Sequence, residues 1–239
     1  MEVQSIGELR ERALYKLSTN WNSTIKVNLI LLALGIFIEF PLNILSNRTL
    51  VEKQIISEKL YIIGIIGYFI YIFVASPIQY GIKSFYMNIS RGLGGRVSDV
   101  FEGYKRFYSM VVLNFAMFFF TMLWMLLLII PGIIKAYSYS QAWRIKKDYP
   151  NKTAIECITE SRYLMDGNKF YYFLLKLSFI GWSLLSVLTL GILGFWLLPY
   201  METTYAEFYD KLKEIKYGSN THVEQIKEIE KEIGEELQQ

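Results

Sequence analysis

The sequence predicts an all-α fold: a polytopic membrane helix bundle of six crossings arranged as three helix hairpins, each preceded by a short cytoplasmic amphipathic helix. Three observations lead there. Apolar runs of membrane length alternate with polar connectors in a chain that is 53% hydrophobic over 239 residues. The run LWMLLLIIPGIIKAYSYSQAWRIKK, residues 123–147, breaks at Pro131 and Gly132 and ends in Arg144, Lys146 and Lys147. Positive residues tend to stay cytoplasmic, and these do so only if the chain reverses at that break.

Residues 5–19 form the first amphipathic helix. Ser5 and Glu8 stand at capping-box spacing, and Ile6, Leu9, Ala13 and Leu17 recur at helical intervals among Arg10, Arg12 and Lys16. Its stripe covers either the membrane surface or the protein's own cytoplasmic face. Residues 25–44 are the first crossing, about 30 Å of helix, with Glu39 and Pro41 near the far end. The run follows a charged segment and lacks the layout of a cleavable leader, so it reads as a permanent anchor.

A polar connector, 45–59, leads to the second crossing, 60–82, which turns polar at Ser76, Pro77, Gln79, Tyr80 and Lys83. Residues 90–107 read as a glycine-marked basic loop, then a short helix capped by Ser98 and carrying Phe101, Tyr104 and Tyr108. The third crossing is 109–130 and the fourth 133–147. At about 22 Å the fourth is shorter than the hydrocarbon layer, so it needs shielding by neighbours. Thr153 and Glu156 repeat the capping-box spacing ahead of a second amphipathic helix with Ile155, Ile158 and Met165. Residues 171–190 are the fifth crossing; after Gly191, residues 192–210 are the sixth.

Residues 1–212 therefore make the integral membrane domain, and 213–239 a charged cytoplasmic tail with Val223, Ile226, Ile233 and Leu237 at helical spacing. Both termini are cytoplasmic. Of 25 Lys and Arg residues, only Arg48, Lys53 and Lys59 then lie in an external loop, and Lys135 and Lys176 fall within crossings. The return segments SPIQYGIKSFYMNI, GIIKAYSYSQAWRI and LPYMETTYAEFYDKL form a loose threefold repeat, each ending rich in Tyr and polar groups.

Chemistry-bearing patterns are sparse. One cysteine, Cys157, excludes an internal disulfide framework, and one histidine, His222, precludes a His-based metal motif. The Arg91–Arg96 glycine cluster matches neither nucleotide fingerprint, so no cofactor or metal is expected. A net charge of +3 gives no basic field for nucleic acid. Neither GxSxG nor HExxH occurs, and no catalytic residue is assigned.

Ionisable groups at bilayer depth are the best leads, because insertion scales set their cost at about 2.5–3.5 kcal/mol each. Gln79 and Lys83, Ser138 and Gln141, and Glu202 come one group from each return segment and would line one inward-facing cavity. Glu202 is the sharpest, lying about 15 Å beyond Ile192 along a helix. Glu39 and Lys135 form a candidate outer pair, and Lys83 and Lys176 are expected to snorkel toward water.

The runs LLLIIPGIIKAYSYSQAWRI, TAIECITESRYLMDGNKFYYFLLKLSFIGW and LTLGILGFWLLPYMETTYAEFYDKL closely resemble the bacterial integral membrane family called domain of unknown function 975. The resemblance covers nearly the whole chain up to about Lys213. Its clearest marks are Arg10, Trp21, Pro131, Gly132, Ser161, Met165, Gly167, Pro199 and Tyr200. A fainter likeness, confined to the PGI turn and the helix after it, is to the membrane portion of some glycerophosphodiester phosphodiesterases, whose hydrolytic chemistry belongs to a separate soluble domain. The resemblance implies a multi-pass protein of a bacterial plasma membrane and supplies no catalytic residue. The expected function is a non-enzymatic membrane protein binding membrane lipid, or a peptide or protein partner through the cytoplasmic helices and tail. The alternative is a small transporter whose polar cavity the return helices line.

Overall fold

The computed structural model describes residues 5–218, apart from the side chains of Glu39, Ile72 and Val74, so most of the expected tail lies outside the described residues. Among them every regular element is helical: α1 (Ile6–Ser18), α2 (Trp21–Leu45, π-helical over Gly35–Glu39), α3 (Arg48–Glu52), α4 (Glu58–Ser90), a 3₁₀ helix (Val97–Arg106), α5 (Phe107–Leu127), α6 (Ile129–Tyr139), α7 (Ala142–Asp148), α8 (Ala154–Leu164), α9 (Lys169–Leu177), α10 (Ile180–Leu188) and α11 (Gly194–Tyr217). Four stretches are long and apolar enough to cross a membrane: Trp21–Leu45, Glu58–Ser90, Val97–Leu127 and Lys169–Leu188. The expected fourth and sixth crossings are not among them. Gln141 interrupts the former between α6 and α7, and α11 carries Glu202, Glu207 and Asp210 on its way.

Local chemistry explains most boundaries. In α1, Ser5 Oγ accepts the Glu8 amide at 3.2 Å, and Leu9, Ala13 and Leu17 are buried against α11 and α4. The stripe of α1 thus covers protein. Thr153 and Glu156 cap α8 reciprocally, each side chain accepting the other's backbone amide. Cys157, on the buried face of α8, is a packing residue whose thiol burial pushes up to about 11, well away from reactivity. Ser98 does not cap the 3₁₀ helix. Asp99 takes that role by accepting the Arg96 amide at 3.1 Å.

Two close approaches set helix packing. The 3₁₀ helix lies backbone against backbone on α4. A Cβ on Gly81 would overlap the Val100 carbonyl, and one on Gly103 would overlap that of Pro77. The reversal after α5 falls at Leu128, whose backbone is extended, three residues before the expected turn at Pro131. Pro131 sits instead in the first turn of α6, where its missing N–H leaves no helical bond unmade. Gly132 then meets the Met125 backbone too closely for any side chain. Moving the turn forward lengthens the returning leg to residues 129–148, about 30 Å if helical throughout.

Burial divides the molecule. Leu9, Met87, Ile145, Leu164, Tyr172 and Phe208 belong to one core at the end where α1, α7, α8 and the C-terminal halves of α4 and α11 meet. The remainder of the long helices is uncovered: Phe37, Leu126, Ile130 and Leu188 are 78%, 74%, 73% and 79% exposed. Leaving such side chains in water forgoes about 1.5–3 kcal/mol each, so this half requires an apolar solvent.

The contact between α4 and the 3₁₀ helix is testable. Gly81→Ala forces two backbones apart and is expected to lower thermal stability by roughly 1–3 kcal/mol in detergent. Gly181→Ala, with no atom within 4 Å of the added Cβ, is expected to leave the midpoint unchanged or slightly raised. Equal effects of the two would contradict the packing.

Candidate functional site

The three helices that end the expected hairpins, α4, α7 and α11, are tied together by ion pairs in two layers. In the first, Glu202 on α11 accepts from Lys83 Nζ on α4 at 2.5 Å and from Arg144 Nη2 on α7 at 3.2 Å. Arg144, only 2% exposed, also donates to Gln141 Oε1 at 3.3 Å, and its Nε is buried without a partner. Lys176 on α9 holds its ammonium over the rings of Tyr172, Tyr137 and Tyr205 at 4.9, 5.2 and 5.9 Å. Arg144 and, less fully, Lys83 and Glu202 are withdrawn from water and persist as charges only with partners in place, which the three helices supply to one another.

The second layer centres on Asp148 at the end of α7. Arg91, just past α4, donates to both of its oxygens at 2.6 and 3.0 Å and reaches Asp210 on α11 at 2.6 Å. Lys213 Nζ and Tyr209 OH add bonds to Asp148 at 2.7 and 2.9 Å. Burial alone would push the Asp148 carboxyl up, but Arg91 and Lys213 overcome it and hold the group at about 2. Close by, Glu207 accepts from Lys16 of α1 at 2.6 Å and from Ser90 at 2.8 Å.

Of the five candidate cavity residues, the structure joins Lys83, Gln141 and Glu202, with Arg144 between the last two. Lys83 pairs with Glu202, whereas Lys176 lies over tyrosines and remains exposed. Gln79 faces a separate groove of about 560 Å³ between α2 and α4, shared with Leu31, Gly35, Ile70, Phe101 and Tyr104. Ser138 donates to the Ile134 carbonyl at 2.9 Å, and its own carbonyl accepts from Ser161 at 2.7 Å. It lines another recess, of about 400 Å³, together with Lys135, Arg162, Asp166 and Lys169. Lys135 lies over the Trp124 ring at 4.6 Å, whereas the Glu39 side chain expected to pair with it is outside the described residues.

Arg91, Arg144, Asp148 and Asp210 were not among the sequence candidates, because they fall in or beside stretches that read as cytoplasmic connectors. One signal was available. Gln141, Arg144 and Asp148 recur at intervals of three and four, which puts them on one face of a helix.

The Asp148 layer has a pH signature. A carboxyl held at about 2 in the fold against an ordinary 3.8 contributes stability above that ordinary value, and loses it as pH falls through the lower one. Asp148→Asn, which removes the carboxylate that Arg91 and Lys213 share, is expected to cost about 3–5 kcal/mol near neutrality. Thermal unfolding in detergent should show the gap to wild type narrowing between pH 4 and pH 2. A constant gap would contradict the assignment.

Comparison with known proteins adds one relationship. Residues 113–216 match the family described as a protein of unknown function, DUF975. No curated protein and no solved structure matches the chain, and the likeness to glycerophosphodiester phosphodiesterases gains no support. The matched stretch contains seven of the nine marks noted in the sequence but neither Arg10 nor Trp21. Several marks have visible structural roles: Ser161 bonds the break between α6 and α7, Met165 Sδ accepts from Gln141 at 3.8 Å, and Gly167 takes a positive φ of 80° after α8. Tyr200 accepts from Arg10 at 2.9 Å, reaching outside the matched stretch. From within α5 to the last turn of α11, a stretch that contains Arg144, Asp148 and Glu202, the chain is similar to the DUF975 family.

Proposed function

We propose that this is a non-enzymatic, lipid-binding integral membrane protein of a bacterial plasma membrane, with six crossings in three hairpins and both termini in the cytoplasm. The topology is supported by Arg91, which touches both Asp148 and Asp210. Between Arg91 and Asp148 lies α5, 21 residues and about 31 Å of helix. Its far end is a membrane thickness away, which supports residues 129–148 as the leg that brings the chain back. Between Asp148 and Asp210 the apolar stretch Lys169–Leu188 supports the same role for α11. The break at Gln141 and the charges of α11 are sheltered by neighbouring helices, which is how a polar leg is tolerated at bilayer depth.

The observation that carries lipid binding is the groove between α2 and α4. Its volume is in the range of small-molecule sites, its lining is almost wholly aliphatic or aromatic, and Gly35 leaves its wall open with no atom within 4 Å of where a Cβ would stand. Such a slot suits an acyl chain. The transporter reading is weaker, because Lys83, Gln141 and Glu202 bond to each other and to Arg144 and line no open cavity among those described.

Two experiments test these readings. Asn151, exposed between α7 and α8, replaced by cysteine in a Cys157→Ala background should resist an impermeant thiol reagent on intact cells and react after permeabilisation. Modification on intact cells overturns the topology. Protein extracted in mild detergent should carry bound lipid detectable by native mass spectrometry, and Gly35→Leu, whose Cβ enters open space at the groove wall, should lose it. Equal lipid in both proteins, or none in the wild type, overturns the groove.

A further inference from the structure

The recess enclosed by α6, α8 and the start of α9 is lined by Lys135, Ser138, Thr159, Arg162, Asp166 and Lys169. Three cations face one carboxylate in about 400 Å³. The carboxylate neutralises little, since Asp166 meets Lys169 only at 3.4 Å with 76% of its side chain exposed. Arg162 makes no hydrogen bond or ion pair among the described residues, and its side chain is exposed. Lys135 has a ring contact with Trp124 and no carboxylate partner among those residues. Two other groups of cations touch carboxylates directly: Lys83 and Arg144 hold Glu202, and Arg91 and Lys213 hold Asp148. Around this recess three cations face a single, loosely held carboxylate.

We propose that this recess binds a phosphate group, with Arg162 as its principal ligand and Lys135 and Lys169 completing the charge. A planar guanidinium pairs two phosphate oxygens at once, and two ammonium groups supply further charge-assisted bonds. The hydroxyl of Thr159 provides a neutral donor at the rim. The surroundings tell which phosphate carriers fit. Ile133 and Ile134, 46% exposed each, directly precede Lys135, and Phe170, 69% exposed, directly follows Lys169. The cations therefore border an exposed apolar surface, along which the chains of a phospholipid would lie once its phosphodiester is seated among them. A free phosphate ion would meet the same ligands without using the apolar border.

The test uses the full chain in detergent with Gly35→Leu as background, so that lipid in the α2–α4 groove does not enter the signal. Short-chain phosphatidylglycerol and the matching diacylglycerol, which lacks only the phosphoglycerol headgroup, are titrated and followed by native mass spectrometry. Phosphatidylglycerol is expected to bind and diacylglycerol not. Arg162→Gln is expected to weaken phosphatidylglycerol roughly tenfold, as loss of a charge-assisted bond pair implies, with the thermal midpoint unchanged because Arg162 has no hydrogen-bond or ion-pair partner among the described residues. Lys135→Gln serves as the second variant and should act in the same direction. Inorganic phosphate forms the other arm: if it binds alone and is weakened by the same substitutions, the recess takes phosphate from solution. Equal binding of the two lipids with no response to inorganic phosphate overturns the proposal, as does wild-type affinity in both variants. The groove is judged separately by lipid retention in the Gly35 comparison, so either reading can fail without the other.

Discussion

The carboxylate of Glu202, held between Lys83 and Arg144, is the interaction on which the remaining arrangement depends. In lipid, apolar helices gain little by meeting each other, since the hydrocarbon around them is equally apolar; association comes from close packing and from polar groups that need partners. Here the partners are distributed so that none can be satisfied within its own helix. Glu202 belongs to α11 and its cations to α4 and α7. One layer away Asp148 belongs to α7 and its cations to the end of α4 and to α11. Separating any one of the three helices strands a charge from each layer.

This arrangement also explains why the most polar legs are the most enclosed. The apolar helices stand outside, with side chains such as Phe37 and Leu126 facing outward, while the Tyr-rich ends of α4, α6 and α11 gather round the ion pairs. Tyr137, Tyr172 and Tyr205 place their rings beside the exposed Lys176 ammonium at the edge of this network. Gly81 and Gly103 bring the 3₁₀ helix onto α4 two residues from Lys83, closing that side of the network without a side chain in between. Function, on this account, resides at the periphery, in the groove beside α2 and in the cationic recess beside α6, rather than at the centre.

Much of this was readable in the sequence. Periodicity and apolar length identify the helices, and the one-sided distribution of Lys and Arg argues for the chain turning back near residue 130. Glu202 stood out as a carboxylate in an apolar run. What the sequence did not disclose were facts of tertiary distance. Arg144 and Asp148 look like ordinary cytoplasmic charges until Glu202, 58 residues from Arg144, is brought beside them. The Arg10–Tyr200 bond spans 190 residues, and no local pattern announces it. The position of the turn was missed for a different reason: proline marks the start of a helix as readily as the end of one, and at Pro131 it does the former. Gln79 has the same polar character as Gln141 and lies on the corresponding leg, yet it faces the groove, a difference of tertiary surroundings that residue type does not encode.

A double-mutant cycle on Lys83 and Glu202 tests the account most directly. Lys83→Gln, Glu202→Gln and the double variant are compared with wild type by reversible unfolding in detergent or bicelles. Mutual stabilisation predicts that each single change is costly and that the second, made in the presence of the first, costs less, with a coupling of about 1–3 kcal/mol. Additive losses would mean that the two side chains do not hold α4 and α11 together, and the clamp at the centre of this structure would have to be abandoned.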